Sequence, residues 1–256
     1  MLHISNGLNN RKRRTDPSRF TTTFTSGSSD YVVVANHADL QVTDTGGAND
    51  FSIAFWIKLT VDASSTSNLD GYIGMKAGAF RGHGFYMRYD DAAGDDESIQ
   101  LVCNTGSASQ NVSTDTDLVH DNWYHIAATF DQSATTGKIY VDGSLSATNA
   151  SLNVPTQYTG DIHIGSSNTD SEFVSSITSE LVFWKGTVLD AESIFGLTEA
   201  SQNLKYFRPA PTAYWKFNED SATGSNNVID EMGTHHGTSS GLADADFDTA
   251  GSSTGV

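Results

Sequence analysis

The sequence predicts an all-β fold, a sandwich or jelly roll of two antiparallel sheets with one short helix. Three observations carry that expectation. The first is the segment Asn122–Gly143, NWYHIAATFDQSATTGKIYVDG. Tyr124, Ile126, Ala128 and Phe130 alternate with Trp123, His125, Ala127 and Thr129, the two-residue period of a strand. Ile139 and Val141 resume the pattern, and Asp142-Gly143 supplies the positive-φ pair of a tight hairpin turn. The second is Phe51–Leu59, where Phe51, Ile53, Phe55, Ile57 and Leu59 fall on one face. The third is the recurrence of short strand patterns punctuated by Gly, Asn and Asp, with almost no helical periodicity.

Taken in order, residues 1–19 form an extended basic arm. Tyr31-Val32-Val33-Val34 is a first apolar strand, and Phe51–Leu59 is the strongest. Gly71–Lys76, Gly84–Asp90 and Ser98–Asn104 follow at hairpin spacing, before the Asn122–Gly143 hairpin. Asp161–Gly165, Thr178–Trp184 and Ala213–Phe217 complete the set of clear strands. Asp190 is placed to cap a helix through Ala191-Glu192-Ser193-Ile194-Phe195, with acid in its first turn. The chain from Ser221 is rich in Gly, Ser, Thr and Asp, and residues 241–256 read as a flexible tail. The division is therefore an arm over 1–19, one β domain over 20–240 and the tail, with no internal repeat.

A length of 256 residues suits a single β domain, and 37% hydrophobic residues suffice for a core between two sheets. The net charge of −17 is uneven. Residues 1–20 carry five basic side chains against one acidic, a net +4, and the remainder carries nine basic against 30 acidic, a net −21. An acidic body repels nucleic acid, so no nucleic-acid partner is expected. Arg11, Lys12, Arg13 and Arg14 are suited to dock the arm on an acidic surface, including that of a neighbouring copy.

Cys103 is the single cysteine, so no intrachain disulfide forms; it lies in the apolar run from Ile99 and reads as a core residue. MLHISNGLNNRKRR lacks the apolar stretch of a secretory signal. No run approaches the roughly 18 apolar residues of a membrane span, so no membrane insertion is expected. Asn111-Val-Ser113 and Asn149-Ala-Ser151 match glycosylation acceptors, which matter only for a secreted chain.

Several blocks resemble one family when taken together. Phe24, Gly27, Asp30, Tyr31, Val32 and Val34 resemble its opening pattern, and Phe51-Ser-Ile-Ala-Phe-Trp-Ile-Lys58 its next strand. Ile73–Lys76, Gly84-Phe85, the central hairpin and Gly160–Gly165 follow in the same order. Ser179–Trp184, Leu189–Ile194, Tyr214–Glu219 and Asp230 resemble its closing blocks. The chain thus resembles the laminin-G-like branch of the concanavalin A-like lectin/glucanase superfamily over roughly residues 20–240. The resemblance implies a jelly roll of two antiparallel sheets, one of them curved. It also implies glycan hydrolysis in some branches, and in others a structural calcium near the chain ends, for which Asp30 and Asp230 are the matching acids.

Glycoside hydrolysis needs two carboxylates about 5–5.5 Å apart for retention. The E-x-D-x-E run of the glucanase branch is absent: Glu97 precedes Ser98-Ile-Gln-Leu, and Glu180 precedes Leu181-Val-Phe-Trp. The chain is therefore expected not to be an enzyme and to require no cofactor. Calcium is the one cation the acids suggest. Asp90-Asp91-Ala-Ala-Gly-Asp95-Asp96-Glu97 packs five carboxylates into eight residues, with Asp91, Asp95 and Asp96 as candidate ligands. The alternative is a solvated acidic hairpin tip.

His120, His125, His163 and the adjacent His235-His236 show no zinc-ligand spacing. There is no nucleophile elbow and no phosphate-cradling glycine loop. Trp56, Trp123, Trp184 and Trp215 lie in signature strands and read as core. Arg81, His83, Tyr86 and Arg88, with Phe80 and Tyr89 nearby, are read as an exposed aromatic and arginine patch suited to a glycan or a protein.

The expectation is a non-catalytic structural or binding module. Its first version is a virion-associated decoration or surface subunit, binding protein partners and host glycans as part of a homo-oligomer or virion assembly. Such stand-alone domains look similar to proteins encoded beside structural genes of marine bacteriophages. The alternative is a lectin-like carbohydrate-binding module, secreted or at a cell surface.

Overall fold

A computed structural model describes residues 21–42, 49–60, 71–74, 83–92, 96–115, 117–166, 173–199 and 203–248. At 71–74, 91–92 and 96–97 the description extends to the backbone alone. The strands are β1 (Thr21–Phe24), β2 (Tyr31–Val34), β3 (Phe51–Leu59), β4 (Gly71–Gly74), β5 (His83–Ala92), β6 (Asp96–Thr105), β7 (Ser109–Ser113) and β8 (Trp123–Asp131). They continue with β9 (Thr136–Val141), β10 (Ser144–Asn149), β11 (Ile162–Ile164), β12 (Ser176–Lys185), β13 (Ala213–Trp215), β14 (Gly237–Ser240) and β15 (Phe247–Asp248). One helix, α1 (Ala191–Thr198), lies between β12 and β13.

These strands form the two antiparallel sheets that the alternation predicts. The eight-stranded sheet runs β10-β9-β8-β3-β12-β1-β15, with β13 also on β12. The seven-stranded sheet runs β14-β2-β11-β4-β5-β6-β7. β12 serves two neighbours on one edge because it is bulged. Its register on β3 shifts between Ser179 and Val182, and Glu180 there has a φ of 54°. β1 pairs with the segment before the bulge and β13 with the segment after it.

The main core lies between the sheets. Phe51, Ile53, Phe55, Ile57 and Leu59 of β3 face Phe85, Met87, Leu101 and Cys103 of the other sheet, all buried. Phe51 and Phe85 stack across the interface with ring centroids 4.1 Å apart. Each such ring contributes about 1.5–3 kcal/mol through burial. Cys103 is the expected core residue, and burial raises its thiol pKa.

A second apolar layer covers the back of the eight-stranded sheet. Ala54, Ala127, Tyr140, Val182, Trp184 and Tyr214 pack under Leu189, Ile194, Leu197 and Leu204. Asp190 caps α1 as predicted, accepting the Ser193 N–H at 2.8 Å. Those hydrogen bonds hold its carboxyl below the usual carboxylate range. The Asp142-Gly143 turn has φ angles of 49° and 78°, the mirror-image turn the sequence calls for. On the same back face His125 is buried, its ring edge-on to Trp56 at 5.2 Å. Burial pushes its pKa down to about 3.

Two sequence expectations need correction. The last strand is not Ala213–Phe217: pairing ends at Trp215, and Phe217 turns away with a φ of 59°. The polar stretch that follows yields β14 on β2 and β15 on β1. Residues 241–248, read as flexible tail, are therefore built into the sandwich, because Phe247 is buried and its neighbours complete the β1 edge. Residues 1–19 and 249–256 lie outside the described residues.

Candidate functional site

Strand alternation sends one side of the seven-stranded sheet to the core and the other outward. Across the outward side the register runs Thr238, Val33, His163, Gly74, Tyr86, Val102 and Asn111. At one end Tyr31 and His163 stack in parallel, with ring centroids 5.4 Å apart and planes 1° apart. Phe173 leans on Tyr31 at 6.0 Å. All three rings are half-buried. Gly74 sits between His163 and Tyr86 in the register and contributes no side chain.

At the other end lies a polar network. Arg88 Nε donates to Gln100 Oε1 at 2.8 Å, and Asn111 Nδ2 donates to the same oxygen at 2.8 Å. Gln100 Nε2 donates to Asp90 Oδ2 at 2.6 Å, and Arg88 Nη2 reaches that oxygen at 3.4 Å. Asp90 Oδ1 is buried with no protein partner. The network fixes the guanidinium and leaves polar groups set in an otherwise close-packed face.

The predicted patch is thus divided. Arg88 lies in this network. Tyr86 is on the same face but is 3% exposed, and Tyr89 belongs to the core with Phe85 and Met87. Reading the alternation one step further assigns Tyr89 to the core, so the expectation that Tyr86 and Tyr89 are exposed is wrong. His83 is exposed, but Nδ1 lies 2.6 Å from Thr156 Oγ1, clasping the end of the β5–β6 hairpin. Arg81 lies outside the described residues, as do Arg11, Lys12, Arg13 and Arg14 of the arm.

The acidic segment is more strand than loop. Asp91 pairs with Glu97 and Ala92 with Asp96, so the β5–β6 ladder runs through Asp91 and Asp96. Asp95 lies outside the described residues. The two acids matched to a chain-end calcium have different surroundings. Asp230 accepts the N–H groups of Tyr214, Met232, Thr234 and His235 at 2.9–3.1 Å, which uses both of its oxygens. Asp30 accepts the Thr25 N–H at 2.9 Å, and its Oδ1 is buried with no partner. Burial raises its pKa, partly offset by Thr25 and reinforced by Asp246. Gly241 passes so close that a Cβ there would stand 2.7 Å from Asp30 Oδ1.

Two further groupings escaped the sequence reading. A cavity of about 380 Å³ is lined by Asn218, Glu219, Asp220, Asn227 and Glu231 among others. Glu219 accepts the Ile229 N–H at 2.8 Å through Oε1, whereas Oε2 is buried with no partner. Burial raises its pKa, and Glu231 adds to the effect. The second grouping is His37, Asp39 and His235, whose ligand atoms all lie within 4.8 Å of one another. Burial lowers the pKa of His235, partly opposed by Asp230. No spacing signals the whole trio, because His37 and Asp39 meet within one turn but His235 joins them only through sheet pairing.

Among the described residues no helix is long and apolar enough to cross a membrane. No curated protein matches the chain. Among solved structures it is similar to a protein from Bacteroides ovatus ATCC 8483 described as a candidate carbohydrate-binding protein. The identity is 17%, the TM-score is 0.63, and the match covers 86% of this chain and 58% of that one. The chain therefore spans little more than half of that relative. It is also similar to a heptameric SAP-like pentraxin from Limulus polyphemus, at 14% identity and a TM-score of 0.52, over 72% of this chain and 83% of that one. The botulinum neurotoxin serotype D binding domain matches at 16% identity and a TM-score of 0.52, over 75% of this chain and 44% of that one. At these identities the likeness is one of fold. A family model described as the concanavalin A-like lectin/glucanases superfamily matches residues 26–195, most of the chain, and the protein belongs to that family.

Proposed function

We propose that this domain is a non-catalytic binding module that takes carbohydrate on the outward face of its seven-stranded sheet. The observation that carries this is the half-buried Tyr31, His163 and Phe173 cluster, set on the same face as the Arg88–Gln100–Asn111–Asp90 network. A sugar presents an apolar ring face and a rim of hydroxyls. Aromatic side chains suit the first, and a fixed fork of donors and acceptors suits the second. The fold shared with the Bacteroides protein supports the reading.

The test is a glycan array probed with the full chain, followed by calorimetry on the best oligosaccharide. Tyr31→Ala and Phe173→Ala each lower affinity about tenfold, or about 1.4 kcal/mol, with unchanged melting temperature. Absence of saturable binding to any glycan at millimolar concentration overturns the reading.

A second reading is favoured by charge. The +4 arm and the −21 body suit an assembly subunit, such as a virion surface protein, in which each arm docks on a neighbour's acidic surface. Light scattering tests it: an oligomer at low salt that dissociates when Arg11, Lys12, Arg13 and Arg14 become alanine supports it. A chain that is monomeric with its arm intact sinks it.

A further inference from the structure

Three side chains from two distant parts of the sequence, His37 and Asp39 from one and His235 from the other, converge where β2 pairs with β14. β2 leads into a short 3₁₀ turn, Ala38–Leu40, capped by His37. That turn sets His37 Nδ1 3.2 Å from Asp39 Oδ2. The segment before β14 brings His235 Nε2 to 3.9 Å from the same oxygen. The two imidazole rings lie 4.9 Å apart, tilted by 57°.

His235 is the anchored member. Its side chain is 3% exposed, against 49% for His37 and 59% for Asp39. Its N–H donates to Asp230 Oδ2 at 2.9 Å, and its carbonyl accepts the Trp215 indole N–H at 2.8 Å. Its neighbour His236 is committed elsewhere, with Nδ1 accepting the Asp230 N–H at 3.0 Å. The Lys185 ammonium donates to the Ala38 carbonyl of the same turn at 2.7 Å.

We propose that His37, Asp39 and His235 form a binding site for a divalent transition-metal ion of the zinc class. Metal–ligand bonds of about 2.0–2.2 Å in a tetrahedron set the donor atoms roughly 3.3–3.5 Å apart. Asp39 Oδ2 stands 3.2 Å from His37 Nδ1 and 3.9 Å from His235 Nε2, and all three donor atoms lie within 4.8 Å of one another. The exposed His37 and Asp39 therefore close on an ion by side-chain rotation around a fixed His235. Ligation through His37 Nδ1 replaces the Asp39 N–H that it accepts at 3.2 Å. Two imidazoles and one carboxylate suit zinc, nickel or copper. Calcium is disfavoured, because it takes six to eight oxygens and only one carboxylate converges here. Three protein ligands on an open surface leave the fourth position for water or for a donor from a second molecule. Independently of any glycan, the ion would bolt the turn after β2 to the loop before β14.

The experiment is titration of the purified full chain with Zn²⁺, read by calorimetry and by melting temperature. Co²⁺ provides a visible ligand-field spectrum as a check on coordination. One ion per chain is expected, with the melting temperature rising by roughly 5–10 °C at a metal concentration hundredfold above Kd. His37→Ala and Asp39→Ala each weaken binding by about tenfold or more, and the double variant abolishes it. Both positions are exposed, so the variants fold; an unchanged metal-free melting temperature verifies this. Absence of saturable one-to-one binding overturns the proposal. So does stoichiometric binding that survives in the double variant.

Discussion

The indole N–H of Trp215 donates to the backbone carbonyl of His235 at 2.8 Å, and both residues are buried. Trp215 ends β13, facing the core, so the bond ties the loop before β14 to the packed interior. Trp215→Phe keeps most of the apolar bulk but leaves the His235 carbonyl without its donor. A loss of about 2–4 kcal/mol in unfolding free energy is expected by urea titration. Zinc affinity falls about tenfold as well if the bond positions His235. Stability loss without any change in zinc affinity limits Trp215 to a packing role.

Asp230 organises the same loop from beneath. Its two oxygens accept four backbone N–H groups, from Tyr214, Met232, Thr234 and His235. Hydrogen bonds to a charged acceptor are stronger than neutral ones, and their loss strands buried donors. Asp230→Ala is expected to cost about 3 kcal/mol or more. Asp230→Asn, which retains one acceptor oxygen, costs less. Equal stability of the wild type and both variants in denaturant titration contradicts this account.

The distribution of what the sequence revealed follows from where apolar alternation survives. β3, β8, β9 and β12 lie inside the eight-stranded sheet and carry the pattern clearly. Of the strands that went unread, β7, β10, β14 and β15 form the four outer edges of the two sheets, and the four-residue β1, between β12 and β15, is the exception. SQNVS, SLSATN and GTSS are polar, as edge strands that resist aggregation tend to be, and ladder hydrogen bonds hold them rather than an apolar face. The candidate sites were less legible for a related reason. Arg88 was found because it lies in a strong strand. His37 and His235 meet only because β14 pairs with β2, and neither carries a local motif. Glu219 lies within a signature block that marks the fold and says nothing of the cavity it lines.

His125 makes acid stability testable. Its pKa is lowered from 6.5 to about 3 by burial, so the unfolded chain binds a proton that the native chain refuses. Between pH 6.5 and about 3 the unfolded state therefore holds more protons, and stability falls as pH falls, by about 1.4 kcal/mol per unit from this group. At pH 5 the loss relative to pH 7 is about 2 kcal/mol. His125→Phe removes this component, so its unfolding free energy should change less over that range. Parallel pH profiles for the two proteins would refute the assignment.

Glu219 gives the opposite sign. Burial raises its carboxyl pKa above 4.5, and the Glu231 charge adds to the rise. The native state thus holds a proton more tightly than the unfolded chain, and stability is lost as pH rises through the native pKa. Above that pH the buried Oε2, which lacks a protein partner, carries its share of an ionised carboxylate. Glu219→Gln cannot ionise, yet keeps an oxygen to accept the Ile229 N–H. The variant is therefore expected to gain on the wild type as pH rises from 4.5 to 7, even if its amide costs some stability at every pH. Urea titrations of both proteins across that range decide the matter. A stability difference that does not vary with pH would show that Glu219 carries no strained charge.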